Sequence, residues 1–572
     1  MRVLALHWLQ IIGQENVLTR DHKTKVDEKN IKSSILIVGA GPVGLGMAID
    51  LAWRGVPCTL LDKGDGIVRM SKMGLVSVSS MEFCRRWGIS EEVRQCGFPA
   101  DFPLNQVFCT NLNGHHIATI EYPCIADEPT HGFSPEKKQR CPQLWFDPIL
   151  AQKAKKSELI DLQYQKELIS FTQNDDGISA IVKGTQDEGL HEVHAEYLIA
   201  CDGAGSNIRK ASHIDLEGDA ALSYSVGIYF TAPDLINHHK MGPAERYMLI
   251  GEEGTWGHLT VVDSRNIWRL TVLGNQEKME SESFDADYWI HRCFGSNSVP
   301  YKIDAVMPWR RSRLVANRYQ AGRVFLAGDA CHVMAPNGGY GMNTGLGDVV
   351  NLSWKLEAVL KGWANPKLLN SYEIERRPIA VRNTNAAATN FASMAPVLSY
   401  SKVETDSAEG LATRNRLQTD LVIGTKPEWE VHGITLGYRY EGSPIICQDG
   451  TVEPADDMSQ YIPTTRPGHR APHLALSNGE STLDLFGHGF VLFQIEDGPE
   501  KGIEDILIST FKDTADVKGI PLRCFKLSGS IAIKTYERRF VLVRPDGHVA
   551  WRGEKLHANP EQLWEQVCGW RE

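Results

Sequence analysis

The sequence predicts a mixed α/β protein in which a parallel sheet wound with helices is interrupted by an antiparallel sheet. Three observations carry this. The run Ile35-Leu36-Ile37-Val38 leads straight into the G-x-G-x-x-G turn Gly39-Ala40-Gly41-Pro42-Val43-Gly44. Two later apolar runs, Tyr197-Leu198-Ile199-Ala200 and Val324-Phe325-Leu326-Ala327, stop at Asp202-Gly203 and at Gly328-Asp329. Between them, from about residue 215 to about residue 305, the pattern changes to period-2 alternation. Short apolar runs ending in a turn read as buried parallel strands, whereas alternation reads as strands with two unlike faces.

Composition sets the outer limits. The 572 residues are enough for roughly three to four domains. With 42% hydrophobic and 23% charged residues, the chain is neither disordered nor a small disulfide-stapled scaffold. Sixty Lys and Arg against 71 Asp and Glu give a net charge of −11, which argues against nucleic acid or anionic membrane as the main partner. An anionic cofactor stays compatible, because backbone N–H groups can hold phosphates. No run of 18 apolar residues occurs, so no transmembrane helix is expected. The 12 cysteines are scattered without any C-x-x-C, which predicts buried free thiols, a reducing cytoplasmic setting and no structural metal. Residues 1–33 read as a flexible extension: the run Val3-Leu4-Ala5-Leu6 is broken by His7, and residues 20–34 are strongly charged.

The first element is a Rossmann-like unit. After the strand at Ile35, a helix from about Pro42 to Arg54 follows, with proline in the first turn, where a missing N–H does no harm. A second strand, Cys58 to Leu61, ends at Asp62, 23 residues after Gly39. That spacing suits an acid that binds a ribose hydroxyl. Gly39 permits the tight turn, Gly41 lets the backbone approach a pyrophosphate, and Gly44 allows close packing of helix and strand. The motif alone leaves FAD and NAD(P) open. The second and third elements place Asp202-Gly203 and Gly328-Asp329 at strand ends, where open α/β sheets bind ligands. The third is followed by Pro336-Asn337-Gly338-Gly339-Tyr340-Gly341-Met342-Asn343 and a helix over Gly347–Leu360.

Three such motifs in this order resemble the class A flavoprotein aromatic monooxygenases, the para-hydroxybenzoate hydroxylase and phenol hydroxylase family. The resemblance spans about residues 34 to 395. It implies an FAD-binding domain, with NAD(P)H and O2 as co-substrates and a small phenolic or polyketide-derived aromatic as substrate. It places Gly39, Gly41 and Gly44 at the FAD pyrophosphate, Asp62 at the adenosine ribose and Asp329 at the ribityl chain. Asp202 and Gly203 would serve both FAD and NAD(P)H. Gln143, at the start of a helix, would contact FAD, and Gly341, Met342 and Asn343 would present backbone N–H groups to the flavin pyrimidine edge. A helix end there stabilises negative charge by up to about 2 kcal/mol. One departure is Lys72, which stands where relatives usually carry arginine and offers charge without a planar fork.

In the resembled family the antiparallel sheet covers the flavin and builds the substrate pocket. Among its aromatic and hydrogen-bonding side chains Tyr247 and His258 are selected as substrate contacts, and Pro336 matches a family proline beside the flavin. The implied reaction reduces FAD with NAD(P)H, forms a flavin C4a-hydroperoxide and hydroxylates the ring. A proton acceptor near the substrate hydroxyl helps, because a phenolate attacks better than a phenol. No second G-x-G-x-x-G exists, so NAD(P)H must bind transiently. Arg376-Arg377-Pro378 is expected to end a helix, residues 396–465 to connect, and residues 466–572 to form the thioredoxin-like tail of the phenol hydroxylase branch. That tail holds only Cys524 and Cys568, so its expected role is structural or a homodimer contact. Other flavin chemistry on the scaffold (epoxidase, halogenase or reductase) and a non-catalytic FAD-binding protein are the alternatives. The halogenase W-x-W-x-I-P run is absent.

Overall fold

The computed structural model describes residues 31–571 apart from 186–188, 234, 275–283, 297–298, 394–399, 426–427, 429–430 and 497–502. The expected N-terminal extension falls mostly outside the described residues. Its end is corrected: Ile31–Val38 is one strand, and its charged beginning pairs Ile31 with Val193 and Lys32 with His194. The outer hairpin of Lys166–Asn174 and Gly177–Gly184 lengthens this sheet beyond the apolar core, so strand pairing reaches residues that burial alone would not order.

In the first sheet Ile160–Tyr164, Cys58–Asp62, Ile31–Val38, Leu190–Ala200 and Val324–Leu326 lie side by side and parallel. From the central strand the chain goes first to one side and later returns on the other, which makes a topological switch point at its C-terminal end. The helix Pro42–Trp53 is buried from Gly44 to Leu51 rather than along one stripe, because the sheet and the helix Tyr340–Leu360 enclose it.

The second sheet is larger than the alternating pattern foretold. Its order is His332–Val333, Lys302–Ala316, Leu216–Thr231, Ile267–Leu273, Gly254–Val261, Arg246–Gly251, Gln106–Cys109 and His116–Ile120. Two strands therefore come from upstream of residue 215, and Arg246–Gly251 pairs parallel with Gln106–Cys109. Helix Ala408–Thr425 lies in the predicted connecting region; its Leu417 and Leu421 pack on Phe108, Met248 and Ile250 of this sheet.

Two helix boundaries are corrected. The long helix begins at Tyr340, seven residues before Gly347, with Gly339 at φ +68° as its cap. Arg376-Arg377-Pro378 lies inside the helix Ser371–Ser393 instead of ending one. The C-terminal sheet orders Leu522–Ser528, Phe490–Glu496, Phe540–Val543 and Val549–Gly553, with only the first pair parallel. Phe490, Leu492 and Trp564 from this segment share a core with Trp354, Ala358 and Leu368, so the tail is packed against the end of the long helix. No helix among the described residues is long and apolar enough to cross a membrane.

Candidate functional site

Backbone hydrogen bonds align the strand ends. Gly39 N donates to Leu61 O at 2.7 Å, Cys201 N to Val38 O at 2.8 Å and Ala327 N to Ala200 O at 3.0 Å. These bonds bring Asp62, Asp202 and Asp329 to one edge of the sheet. Gly39 has φ +105°, and a Cβ there would lie 2.2 Å from Cys201 O. A Cβ on Gly44 would lie 1.8 Å from Gly39 O, so the close approach is between helix and turn. A Cβ on Gly41 would meet nothing within 4 Å. The middle glycine thus borders open space at a helix N-terminus, a position where a phosphate could be held.

The two carboxylates beside this turn are partly used. Asp62 accepts from Ala40 N and Gly64 N, each at 2.6 Å, which holds the turn closed. Asp202 Oδ2 accepts from Asn207 N at 2.9 Å and Ile208 N at 3.3 Å, capping the short helix Asn207–Ala211. Its Oδ1 is buried and has no partner among the described residues. Gly203 follows at φ +83° with open space at its Cβ position.

Asp329 stands apart from these. Its side chain is exposed to the cleft. The dense protein around that cleft pushes its carboxyl up, while His332 and Lys72 pull it down. A Cβ on Gly341 would come within 4.0 Å of Asp329 Oδ1, so the carboxylate adjoins the first turn of the long helix. Gly341, Met342 and Asn343 belong to that turn, where the leading N–H groups have no intrahelical acceptor. The Asn343 side chain is spent elsewhere: it accepts from Ser77 N and Ser80 Oγ and donates to Leu75 O and Gly339 O. Only its backbone remains for a ligand. Pro336 is exposed on the loop before this helix, and its carbonyl accepts from Gly339 N at 3.1 Å.

Two nearby groups are structural. His332 Nε2 and Asp348 Oδ2 are 2.8 Å apart and fully buried. Asp348 also receives Arg376 Nε at 2.8 Å and Gly328 N at 3.1 Å. Cys331, His332 and Asp348 are close enough to hold a cation. Both Asp348 oxygens already serve other donors, and Arg376 supplies the positive charge.

Gln143 does begin a helix, Gln143–Lys155. Its Oε1 accepts from Lys72 N at 3.0 Å, and its Nε2 donates to Asp147 Oδ2 at 2.9 Å. Asp147 is pushed up to about 7 by burial, against Gln143 and Lys72. Lys72 itself is exposed beside Asp329 and Asp147.

Pairing register decides which sheet residues face this edge. Arg246 lies opposite Thr260, Thr260 opposite Arg269, and Arg269 opposite Tyr229. Met248, His258, Thr271 and Gly227 form the next row on the same face. Tyr229 OH and Arg269 Nη1 both donate to Ser71 O, at 3.1 and 3.2 Å, so this face meets the Ser71-Lys72 segment. His258 is on it. Burial and the charges of Arg246, Arg269 and Arg311 hold its imidazole well below the usual histidine range. Tyr247 is on the opposite face and is corrected out of the site. Its OH donates to Gly242 O at 2.7 Å and accepts from Ala244 N at 3.0 Å, in a core with Trp268 and Leu249.

Sequence reasoning includes Tyr229 among the sheet's aromatic and hydrogen-bonding groups without selecting it, and it passes over Arg269, Arg311 and Glu428. A signal existed: Arg269 and Thr271 are the polar half of an alternating strand, and both faces of that strand turn out to be covered. A separate small cavity of about 50 Å³ opens behind the long helix, with Ser77, Asn343, Thr344 and His432 in its wall, and it borders none of Asp62, Asp202, Asp329 or His258.

An Asp329→Ala protein should lose its flavin, since a carboxylate hydrogen bond is worth about 1.5–3 kcal/mol, or roughly 10- to 100-fold in Kd. Full flavin absorbance after gel filtration would count against this contact.

Residues 32–387 match the FAD binding domain family and residues 464–570 the aromatic-ring hydroxylase C-terminal family. FAD-dependent monooxygenase apdD of Emericella nidulans is 30% identical over 96% of this chain and 91% of its own. The 2,4-dichlorophenol 6-monooxygenase of Cupriavidus pinatubonensis is 30% identical over 92% of this chain and 94% of its own. A structure of RebC with bound 7-carboxy-K252c superposes with TM-score 0.87 and 34% identity, covering 94% of this chain and 99% of that one. The match runs through both the nucleotide edge and the tail, and the chain belongs to the class A FAD-dependent aromatic monooxygenases.

Proposed function

We propose that this chain hydroxylates a phenolic or polyketide-derived aromatic, held between the Asp329 edge and the His258 face of the second sheet. The observation that carries the reading is their juxtaposition: a nucleotide-binding strand edge with three aspartates, closed by a polar sheet face that is itself buried. The residues present fit FAD. Gly41 leaves an open cradle at a helix start, Asp202 Oδ1 is buried without a partner among the described residues, and Asp329 is open to the cleft. When bound, FAD supplies the redox chemistry and oxygen activation, reduced by NAD(P)H.

The chain's own residues then have distinct tasks. Gly39, Gly41 and Gly44 shape the pyrophosphate turn, and Asp62 retains lone pairs for a ribose hydroxyl while it holds Ala40 N. Asp329 binds the ribityl chain, with Lys72 adding positive charge nearby. Gly341, Met342 and Asn343 present first-turn N–H groups that favour negative charge at the flavin edge. Gln143 braces Lys72 through its backbone. Asp202 and Gly203 form the edge where NAD(P)H docks transiently, and Pro336 borders the position of oxygen transfer. His258, kept neutral, accepts a hydrogen bond from a substrate hydroxyl, and the positive charge of Arg246 and Arg269 beside it favours the phenolate, in which form the ring is more nucleophilic. Helix Ala408–Thr425 covers the sheet and helps keep water out.

The domain limits proposed are 34–395 for the FAD unit with its inserted sheet, 396–465 for the cover and 466–572 for a thioredoxin-like tail. The tail's role is structural or a homodimer contact, and the cytoplasm suits the twelve free cysteines of the whole chain. The test is to load the protein with FAD and follow NADH and NADPH oxidation with a panel of phenols and polycyclic aromatics. Substrate-stimulated oxidation with a product heavier by one oxygen is expected. Protein that takes up no FAD, or whose oxidation no aromatic stimulates, would overturn it.

A further inference from the structure

Two cysteine thiols meet at the junction that leads into the cofactor edge. Cys96 follows the short helix Ser90–Arg94, and its loop is tightly packed: a Cβ on the next residue, Gly97, would lie 2.5 Å from the Trp145 ring. Cys141 stands between two fixed points. Before it, Gln139–Arg140 pairs with Leu75–Val76, and the Cys141 N–H itself donates to Gly74 O at 2.9 Å. After it, the helix Gln143–Lys155 begins, with Gln143 N donating to Met73 O and Ser71 Oγ, each at 3.0 Å. The Cys96 Sγ reaches Arg140 O at 3.4 Å and is in hydrogen-bonding contact with the Cys141 thiol.

The two thiols are unlike. Cys141 is 0% exposed, and its hydrogen bond to Cys96 together with burial pushes it up. Cys96 is partly open to solvent. The hydrogen bond from Cys141 holds its thiol down, to about 7, with Phe98 N–H and the Arg140 guanidinium in the same sense and burial opposing. Burial pushes Cys58, Cys84, Cys109 and Cys201 the other way. The thiolate is the reactive form of cysteine, and an accessible thiolate beside a second thiol can be caught as a disulfide before it oxidises further. Neither thiol has a task at the Asp329 edge or on the His258 face.

We propose that Cys96 and Cys141 are a peroxide-sensitive dithiol that closes into a reversible disulfide. The Cys96 sulfur attacks one oxygen of hydrogen peroxide. The O–O bond breaks, hydroxide leaves and takes up a proton as water, and Cys96 becomes a sulfenic acid. The Cys141 sulfur then attacks the Cys96 sulfur. The S–O bond breaks, the hydroxyl leaves with the Cys141 proton as a second water, and the S–S bond forms. The two thiols together lose two electrons, and one peroxide is reduced to two waters. A flavin monooxygenase is itself a source of peroxide whenever O2 is reduced without transfer to a substrate. A transient disulfide of this kind is compatible with a reducing compartment. It ties the Cys96 loop to a point two residues before Gln143, whose Oε1 accepts from Lys72 N, so the oxidation state of the pair adjoins the cofactor edge.

The test adds equimolar hydrogen peroxide to the FAD-loaded protein, so it does not depend on the substrate assigned above. The reaction is stopped with iodoacetamide, and the digested protein is read by mass spectrometry. Cys96 and Cys141 should both lose alkylation and appear as one cross-linked peptide pair, two hydrogens lighter than its reduced parts and split by dithiothreitol. The exposed Cys524 should stay alkylated. Cys96→Ala should leave Cys141 reduced, and Cys141→Ala should stop at a sulfenic acid on Cys96 that dimedone traps. Should Cys141→Ala fail to fold, the cross-linked peptide of the unsubstituted protein and Cys96→Ala still decide. Full alkylation of both residues under peroxide that oxidises Cys524 would overturn the proposal. So would a cross-link from Cys141 to its other neighbour Cys84, or a sulfenic acid on Cys96 that persists in the unsubstituted protein.

Discussion

A Gly44→Ala protein is expected to purify without flavin, whereas Gly41→Ala should fold normally and bind FAD more weakly. The two substitutions add the same methyl group three residues apart. At Gly44 the new Cβ would sit 1.8 Å from Gly39 O and 3.2 Å from the Cys201 Cβ, both on fixed strand ends. Neither neighbour is the tip of a flexible side chain, so the helix Pro42–Trp53 must move away from the turn. Overpacking of this kind costs about 1–3 kcal/mol, and the displaced turn is the one that shapes the phosphate cradle. Gly41 has φ −74° and ψ −177°, which alanine adopts freely, and nothing within 4 Å. Its methyl group would intrude only on a bound pyrophosphate. Flavin absorbance after gel filtration and thermal unfolding of the flavin-free proteins separate the two effects. A Gly44→Ala protein with full flavin, or a Gly41→Ala apoprotein that melts well below the parent, would refute this account.

The parts of this architecture that were legible in sequence are the ones enforced locally. A glycine with no room for Cβ, a strand that ends at an acid, and an alternating strand each leave a mark within ten residues. Gly39, Asp62 and the parallel strands are of this kind. The start of the long helix is hidden because Gly341 and Gly345 look like loop, yet packing demands a glycine at 345 and at 347. A Cβ at Gly345 would lie 2.6 Å from the Val43 side chain, and one at Gly347 would lie 2.6 Å from Arg376. Pro378 was read as a helix stop for the same reason, and tertiary contacts around Arg376 and Glu375 carry the helix through it. Tyr247 and His258 looked alike in sequence. Strand register separates them, and register depends on pairing partners in other parts of the chain.

Replacing Glu375 with glutamine should destabilise the protein by about 3–5 kcal/mol, with a pH dependence that identifies the cause. Glu375 joins three parts of the chain. Its Oε1 accepts from Arg544 Nη1 and Ser443 Oγ, each at 2.6 Å. Its Oε2 accepts from Lys355 Nζ at 2.7 Å and Asn351 Nδ2 at 2.7 Å. The Glu375, Lys355 and Arg544 side chains are all 0% exposed. The pairs thus fasten the helix Ser371–Ser393 to the long helix and to the tail's Arg544–His548 turn. Without the carboxylate, Asp546 is the nearby anion that Lys355 and Arg544 share among the described residues, and a buried charge is left uncompensated. Burial pushes the Glu375 carboxyl up, and Arg544 with Lys355 more than reverse this, so it stays below the usual range. A carboxyl held down in this way adds stability that is present above its unfolded value of about 4.3 and is lost as pH falls below it. The variant and the parent should therefore converge in acid. Lys355 works in the opposite direction: burial lowers it to about 8, with Glu375 opposing. Once Glu375 is neutral, Lys355 sheds its proton at lower pH, the folded variant binds fewer protons than the unfolded chain, and its stability rises with pH. The deficit should be widest between roughly pH 5 and pH 7 and should narrow toward pH 8. Urea unfolding at a series of pH values measures it. A deficit that stays constant across that range would mean that the loss comes from packing at the tail interface rather than from the buried charges.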